Sequence, residues 1–155
     1  TDFTYLFLAN HEVRYNCTII DLHDRSVIAS IIDRNITSDL AIRTLRKALE
    51  SQPTIKDGLI LHSDQGSQYT SKAFTEFCES VNVTQSMSKA GYPYDNAPME
   101  RYFNTLKNEC TNLYEFETEK ALYQKVEEFA YVDYNHVRPH SYNGYRTPYE
   151  ARTAA

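Results

Sequence analysis

Between Gly58 and Ser71 the sequence reads GLILHSDQGSQYTS, and it changes character at its middle. Leu59, Ile60 and Leu61 form a short, unbroken apolar run, the pattern of a strand buried on both faces in a parallel arrangement. Parallel neighbours need a crossover, usually a helix packed on the sheet. The run therefore argues for an α/β fold. It delivers His62, Ser63 and Asp64 at its carboxyl end, followed by Gly66. Ligand sites of open α/β sheets gather at such carboxyl ends. Asp64 is thus a candidate site residue, although Asp before Gln-Gly is also an ordinary turn former.

The rest of the chain agrees with that class. Residues 3–9, 13–22 and 26–33 are rich in aromatic and β-branched types and read as strands. His23-Asp24-Arg25 suits a turn between the last two. A helix is predicted over 39–51, capped by Thr37 or Ser38, with Leu40, Ile42, Leu45, Ala48 and Leu49 at helical spacing and Pro53 closing it. A strand at 58–62, a helix over 71–81, a strand at 83–87 and a loop over 88–97 follow. Helices are predicted from Pro98 to Asn112, from Thr118 to Tyr134, and from Thr147-Pro148 onward. Three antiparallel strands followed by alternating helix and strand give a mixed sheet with helices on its faces. There is no internal repeat and no linker, so the 155 residues read as one domain, large enough to bury about 68–70% of the unfolded surface.

Composition excludes several classes. Cys17, Cys78 and Cys110 are odd in number and widely spaced, which fits neither a disulfide framework nor a zinc knuckle and suits a reducing cytoplasm. No apolar run approaches the roughly 20 residues that cross a bilayer, and the start TDFTYLFL lacks a basic leader region. Position 1 is Thr, not Met, so a fragment of a longer polypeptide is expected. The formal charge of -5 counts, on its face, against a nucleic-acid partner.

From Pro98, the residues Met99, Tyr102, Phe103, Leu106, Cys110 and Leu113 form one apolar stripe. Glu100, Asn104 and Lys107 fall together along one flank of it. Taken alone, Glu100 is an acid suited to a helix's first turn, and Lys107 is a solvated surface residue. Asp2, Asp21 and Asp24 each stand as a possible first acid of a site. If a first-strand acid, Asp64 and Glu100 converge, their mutual repulsion raises their pKa values. A hard dication such as Mg²⁺, which prefers oxygen ligands, relieves that repulsion. Two such ions about 3.5–4 Å apart can serve the attacking and leaving oxygens of a phosphodiester.

The strings TDFTY at 1–5, HSDQGSQYTS at 62–71, SMSKAGYPYDNAPMERYFNTLKNE at 86–109 and YNHVRPH at 134–140 together resemble the catalytic core of insertion-sequence transposases. These belong to the DDE superfamily that includes retroviral integrases. Thirty-five residues lie between Asp64 and Glu100, the separation typical of the integrase-like branch. The resemblance implies an RNase H-like fold, with a five-stranded mixed sheet flanked by helices. It implies a metal-dependent DNA strand transferase with Asp2, Asp64 and Glu100 as catalytic triad and ligands of two Mg²⁺ (or Mn²⁺) ions. It selects Asp2 over Asp21. Lys107 matches a lysine that approaches DNA phosphates, and 88–97 matches a mobile loop in which Gly91 supplies backbone options. Asn104, Lys89, Tyr94, Asn96, Arg101 and Arg138 are expected to contact DNA, and His62, Gly66 and His140 to support the site.

The same resemblance eases the charge objection. Such enzymes usually carry a helix-turn-helix segment upstream that supplies most nonspecific affinity. Here Lys72, Lys89, Arg101, Lys107, Arg138 and Arg146 are expected to form a local basic rim. DNA and further copies of the chain are the expected partners, with no membrane and no small-molecule substrate, in a bacterial cytoplasm at the nucleoid. The alternatives are a catalytically silent, domesticated interaction module and a plain nuclease of the same fold. All three acids are present, which argues against decay. A tyrosine recombinase would need H-x-x-R, and His136-Val137-Arg138 is one residue short. Pro139 separates His136 from His140 and argues against a shared metal face.

Overall fold

The computed structural model describes residues 1–54 and 58–154. Its elements are β1 (Asp2–Phe7), β2 (Val13–Ile20), β3 (Val27–Asp33), α1 (Ser38–Ser51), β4 (Leu59–Ser63), α2 (Ser67–Thr70), α3 (Lys72–Ser80), β5 (Val83–Met87), α4 (Ala97–Glu109), α5 (Glu119–Glu128) and α6 (Pro148–Thr153). The α/β class and all five expected strands are present. The single mixed sheet is not. β1, β2 and β3 form an antiparallel sheet, while β4 and β5 pair in parallel as a second one. The two meet edge to edge where Thr1 N donates to the His62 carbonyl at 2.8 Å. One such bond at the ends of two strands is a junction, not a ladder.

The three-stranded sheet lies between two helical layers because its strands alternate. Leu6, Leu8, Ile20 and Val27 face α4 and α5, joining Met99, Tyr102, Leu106, Leu122 and Val126. Ile19 and Ala29 face the other way, toward Ala41, Leu45 and Phe74 of α1 and α3. A bulge keeps both sets in place. Ile20 pairs with Val27 but Ile19 pairs with Ala29, so Ile28 is the extra residue. In a regular strand Val27 and Ala29, two residues apart, would share a face.

The expected burial of β4 on both faces does not hold. Leu61 is buried among residues of α1 and α3 and Ser63 is buried too, whereas Ile60, on the opposite face, is 65% exposed. The helices α4 and α5 cover β1–β3 and leave this face of β4 open. Thr37 is the cap of α1, accepting from Leu40 N at 3.1 Å, and Ser71 caps α3. The helix expected to run to Asn112 stops at Glu109. Cys110 adopts φ -135°, ψ -80°, so Leu113 loses the stripe and stands 64% exposed. The helix expected to end at Tyr134 is α5, capped by Thr118, continuing as a π-helical segment over Phe129–Val137. That wider winding aims two side chains at the free edge of β3. Asn135 exchanges two hydrogen bonds with the Val27 backbone, at 2.8 and 2.9 Å, and Tyr131 Oη accepts from Ser30 N at 2.8 Å. An edge that would otherwise expose unpaired backbone is thereby closed.

Candidate active site

The junction of the two sheets fixes where the acids stand. Because Thr1 meets His62, Asp2 begins β1 beside the point where β4 delivers Asp64. The end of β4 is tied down on its other side. The His62 ring bonds Ser86 Oγ at 2.9 Å through Nδ1 and Ser88 Oγ at 3.0 Å through Nε2. Ser88 N donates to the Ser63 carbonyl at 2.9 Å, and Gln65 Nε2 to the Ser88 carbonyl at 3.0 Å. His62 is therefore an anchor between β4 and β5.

Gly66 has a role different from the free turn its type suggests. Its φ is -57°, open to any residue. Its N–H donates to Asp64 Oδ1 at 2.8 Å, and a Cβ would lie 2.9 Å from that same oxygen. A Cβ here would push the Asp64 carboxylate aside, so glycine leaves it where the Gly66 N–H can bond it. Directly after it comes α2, a short helix that sequence patterning missed. It buries Tyr69, whose Oη lies 3.1 Å from Thr1 Oγ1 and whose ring is 5.4 Å from Phe3. Tyr69 braces the start of β1. Its place inside the HSDQGSQYTS string was the available signal.

Glu100 lies in the first turn of α4 and is exposed, as are Asn104 and Arg101. Lys107 is half-buried two turns on and has no ion pair among the described residues. The charges of the other two acids reach Asp2. Burial raises the Asp2 carboxyl above its usual range, the Phe3 amide opposes this, and the negative charges of Asp64 and Glu100 raise it further. Asp21 and Asp24, the other candidates for first acid, are committed elsewhere, both bonded by Arg152 at 2.7 and 2.6 Å.

The remaining expected residues divide into free and engaged. Lys89 and Tyr94 are exposed, Tyr94 at 86%, beside Gly91 at φ +82°, a left-handed conformation that favours glycine. The 88–97 stretch contains one 3₁₀ turn, Pro93–Asn96. Asn96 Nδ2 donates to the Thr1 carbonyl at 3.3 Å, tying this stretch to β1. Arg138 makes a forked bond to Glu109 at 2.7 and 2.8 Å, and Lys72 pairs with Glu76. His140 is buried, its Nε2 3.3 Å from the Tyr134 carbonyl and its ring against that tyrosine. Burial holds its imidazole below the ordinary value. It packs the segment after the π-helix and touches none of the acids.

Two models of the integrase core domain match, over residues 1–93 and 81–148. The chain belongs to the integrase core domain family. This integrase core is 34% identical over 134 residues to the transposase for insertion sequence element IS904 of Lactococcus lactis subsp. lactis (strain IL1403), covering 86% of the chain and 53% of that protein. The chain spans about half the length of the curated relatives it matches. Among solved structures, a simian T-cell lymphotropic virus intasome in complex with the PP2A regulatory subunit B56 gamma matches with TM-score 0.81 at 18% identity, covering 99% of this chain and 53% of that one. The HTLV-2 integrase catalytic core domain in complex with magnesium (trimeric form) matches with TM-score 0.67 at 17% identity, covering 97% and 94%. These likenesses show that the integrase core here has the α/β, RNase H-like fold of such catalytic cores.

Proposed function

We propose that this integrase core cleaves a phosphodiester at the end of a mobile DNA element and joins the resulting 3′-OH to target DNA, with Asp2, Asp64 and Glu100 as its catalytic acids. The observation that supports the reading is electrostatic: Asp2, half-buried at the start of β1, feels the negative charges of both Asp64 and Glu100. A fold gains nothing by assembling repelling carboxylates unless a cation or a reaction uses them.

The donor set fits a hard dication. All three donors are carboxylates, suited to Mg²⁺ or Mn²⁺. Among the described residues no three His, Cys, Asp or Glu side chains are placed close enough to hold an ion together, so the exposed Asp64 and Glu100 must swing toward Asp2 to do so. Two bound ions would supply activation of the attacking oxygen and stabilisation of the leaving oxygen. Asp2 fixes the position of the site from within the sheet, and Gly66 N–H orients Asp64. Lys107, without an ion pair among the described residues and on the Glu100 flank, attracts the phosphate backbone. No side chain acts as a nucleophile.

In this reading residues 1–155 form one catalytic domain, and a helix-turn-helix in the longer protein supplies most of the DNA affinity. The working form contains more than one copy, because two DNA ends must be brought together. It acts in the bacterial cytoplasm at the nucleoid. The test is Asp64→Asn against wild type on a labelled element-end DNA with Mg²⁺ or Mn²⁺. The expected result is loss of nicking and joining by at least about 10³-fold, the scale of several kcal/mol of transition-state stabilisation. Undiminished nicking and joining by the variant would sink the proposal. Nicks without joined products from the wild type would mark a nuclease instead.

A further inference from the structure

Tyr102, on α4, is fully buried, yet its hydroxyl has no hydrogen-bond partner among the described residues. An unpaired buried hydroxyl carries a penalty like that of a lost hydrogen bond. The ring does not explain the hydroxyl. It meets Tyr134 edge-on at 4.9 Å and Phe103 at 5.5 Å, and a phenylalanine would pack in the same way. Burial holds the phenol far above its ordinary value, so it stays a donor at any working pH.

A chain of buried polar groups ends beside it. Asn16 and Thr18 share the β2 face of Ile20, which packs on α4, and both are 0% exposed. Asn16 Nδ2 donates to Ser30 Oγ at 2.9 Å, and Thr18 Oγ1 donates to Asn16 Oδ1 at 2.9 Å. The Thr18 proton is thus committed, and its oxygen is left to accept. Thr18 is also among the side chains that act on Tyr102. The chain lacks one link, from Tyr102 to Thr18, and that link would join the sheet at Asp2 to the helix of Glu100. Thr18 is the β2 residue opposite Asp2, and opposed residues present their side chains to one face. Tyr102 is two residues from Glu100. Residues of one helical turn move together, so a shift of α4 that brings Tyr102 onto Thr18 carries Glu100 toward the strand of Asp2.

We infer that Tyr102 is a positioning residue, whose hydroxyl gains Thr18 as its acceptor only when α4 closes on the sheet with Glu100 engaged at a divalent cation. The inference rests on the reading of Asp2, Asp64 and Glu100 as the acids that hold the metal. It makes one hydrogen bond of the core favour the metal-bound form. The free form keeps the donor unpaired, as a strained group that metal binding relieves.

The test is the melting temperature of wild type and Tyr102→Phe across a Mn²⁺ series, without DNA. The value without metal reads the free form, and the concentration at which the shift sets in reads the affinity. Tyr102→Phe keeps the ring and removes only the oxygen. Without Mn²⁺ it should melt no lower than wild type, because no existing bond is lost. It should need about 3–10-fold more Mn²⁺ for the same shift, the worth of one neutral hydrogen bond. Thr18→Val should weaken Mn²⁺ binding to a similar degree, and adding it to Tyr102→Phe should weaken binding no further. If Thr18→Val does not fold, Tyr102→Phe decides alone. Wild-type Mn²⁺ affinity in Tyr102→Phe overturns the inference. So does a lower melting temperature without metal, since the hydroxyl would then already be bonded. Asp64→Asn separates the two readings. A Mn²⁺ shift that Asp64→Asn loses and Tyr102→Phe keeps in full sinks only the role of Tyr102. A wild type that shifts no more than Asp64→Asn sinks the metal-binding acids and this inference together.

Discussion

At Asp2, burial and two neighbouring carboxylates act in the same direction, and both favour the protonated form. A carboxyl whose folded value is raised makes the fold less stable once it ionises. The penalty is absent below the ordinary value of about 3.9, grows as pH rises through the folded value, and is fully present at neutral pH. Asp2→Asn is therefore expected to melt at a higher temperature than wild type at pH 7 and at the same temperature at pH 3. Metal should reverse the order. At about 100 times its Kd, Mg²⁺ adds about 2.7 kcal/mol to wild type, or about 5–10 °C for a chain of this size, and much less to the variant. Thermal melts at two pH values, with and without Mg²⁺, check this. Equal melting at pH 7 together with equal metal shifts would show that Asp2 is neither strained nor a ligand. Little of this was legible at the residue itself. Residue pattern left Asp2, Asp21 and Asp24 as alternatives, the family resemblance favoured Asp2, and in the fold Arg152 bonds the other two.

Arg152 also shows how one element holds the rest. It reaches from α6 to Asp21 and Asp24 in the turn between β2 and β3, and to Gln52 at the end of α1. Asp24 is 2% exposed. Burial alone would raise its carboxyl, but Arg152 and Ser26 hold it below the usual value. Its contribution to stability is thus present above the ordinary carboxylate value and is lost as pH falls through the lower folded one. Arg152→Met leaves that buried charge without its partner, at a cost of about 3 kcal/mol at pH 7. Urea unfolding should show the gap to wild type shrinking by pH 3, and an equal gap at both pH values would rule the ion pair out as the cause. The start of α6 was easy to foresee from Thr147-Pro148, and the structure adds a capping box there between Thr147 and Glu150. The π-helical segment was not. Apolar spacing reports a helix's buried stripe, whereas the wider winding is set by the fit of Tyr131 and Asn135 to the β3 edge, a contact about a hundred residues away in sequence.

On the scale of the whole molecule, short-range pattern foretold every strand but not how the strands join. Alternation and apolar runs identify strands one at a time, while the division into two sheets depends on the single Thr1–His62 junction. The same limit applies to charge. The net -5 argued against DNA, and the six motif cations argued for it, but a cation counts only if it is not already neutralised. The structure pairs Lys72 with Glu76 and Arg138 with Glu109. Lys89, Arg101, Lys107 and Arg146 have no acid partner among the described residues. Each phosphate neutralised on duplex DNA contributes about -0.9 to the slope of log K against log salt. The isolated chain should therefore show a slope no steeper than about -3.6, and weak affinity throughout. Lys107→Ala should make it shallower by about 1, whereas Arg138→Ala should leave it unchanged. Fluorescence anisotropy on blunt duplex DNA over a salt series measures both. A slope near -8 would mean that a basic surface outside these motifs carries the binding, and an effect of Arg138→Ala equal to that of Lys107→Ala would mean that the Glu109 pair opens to let DNA in.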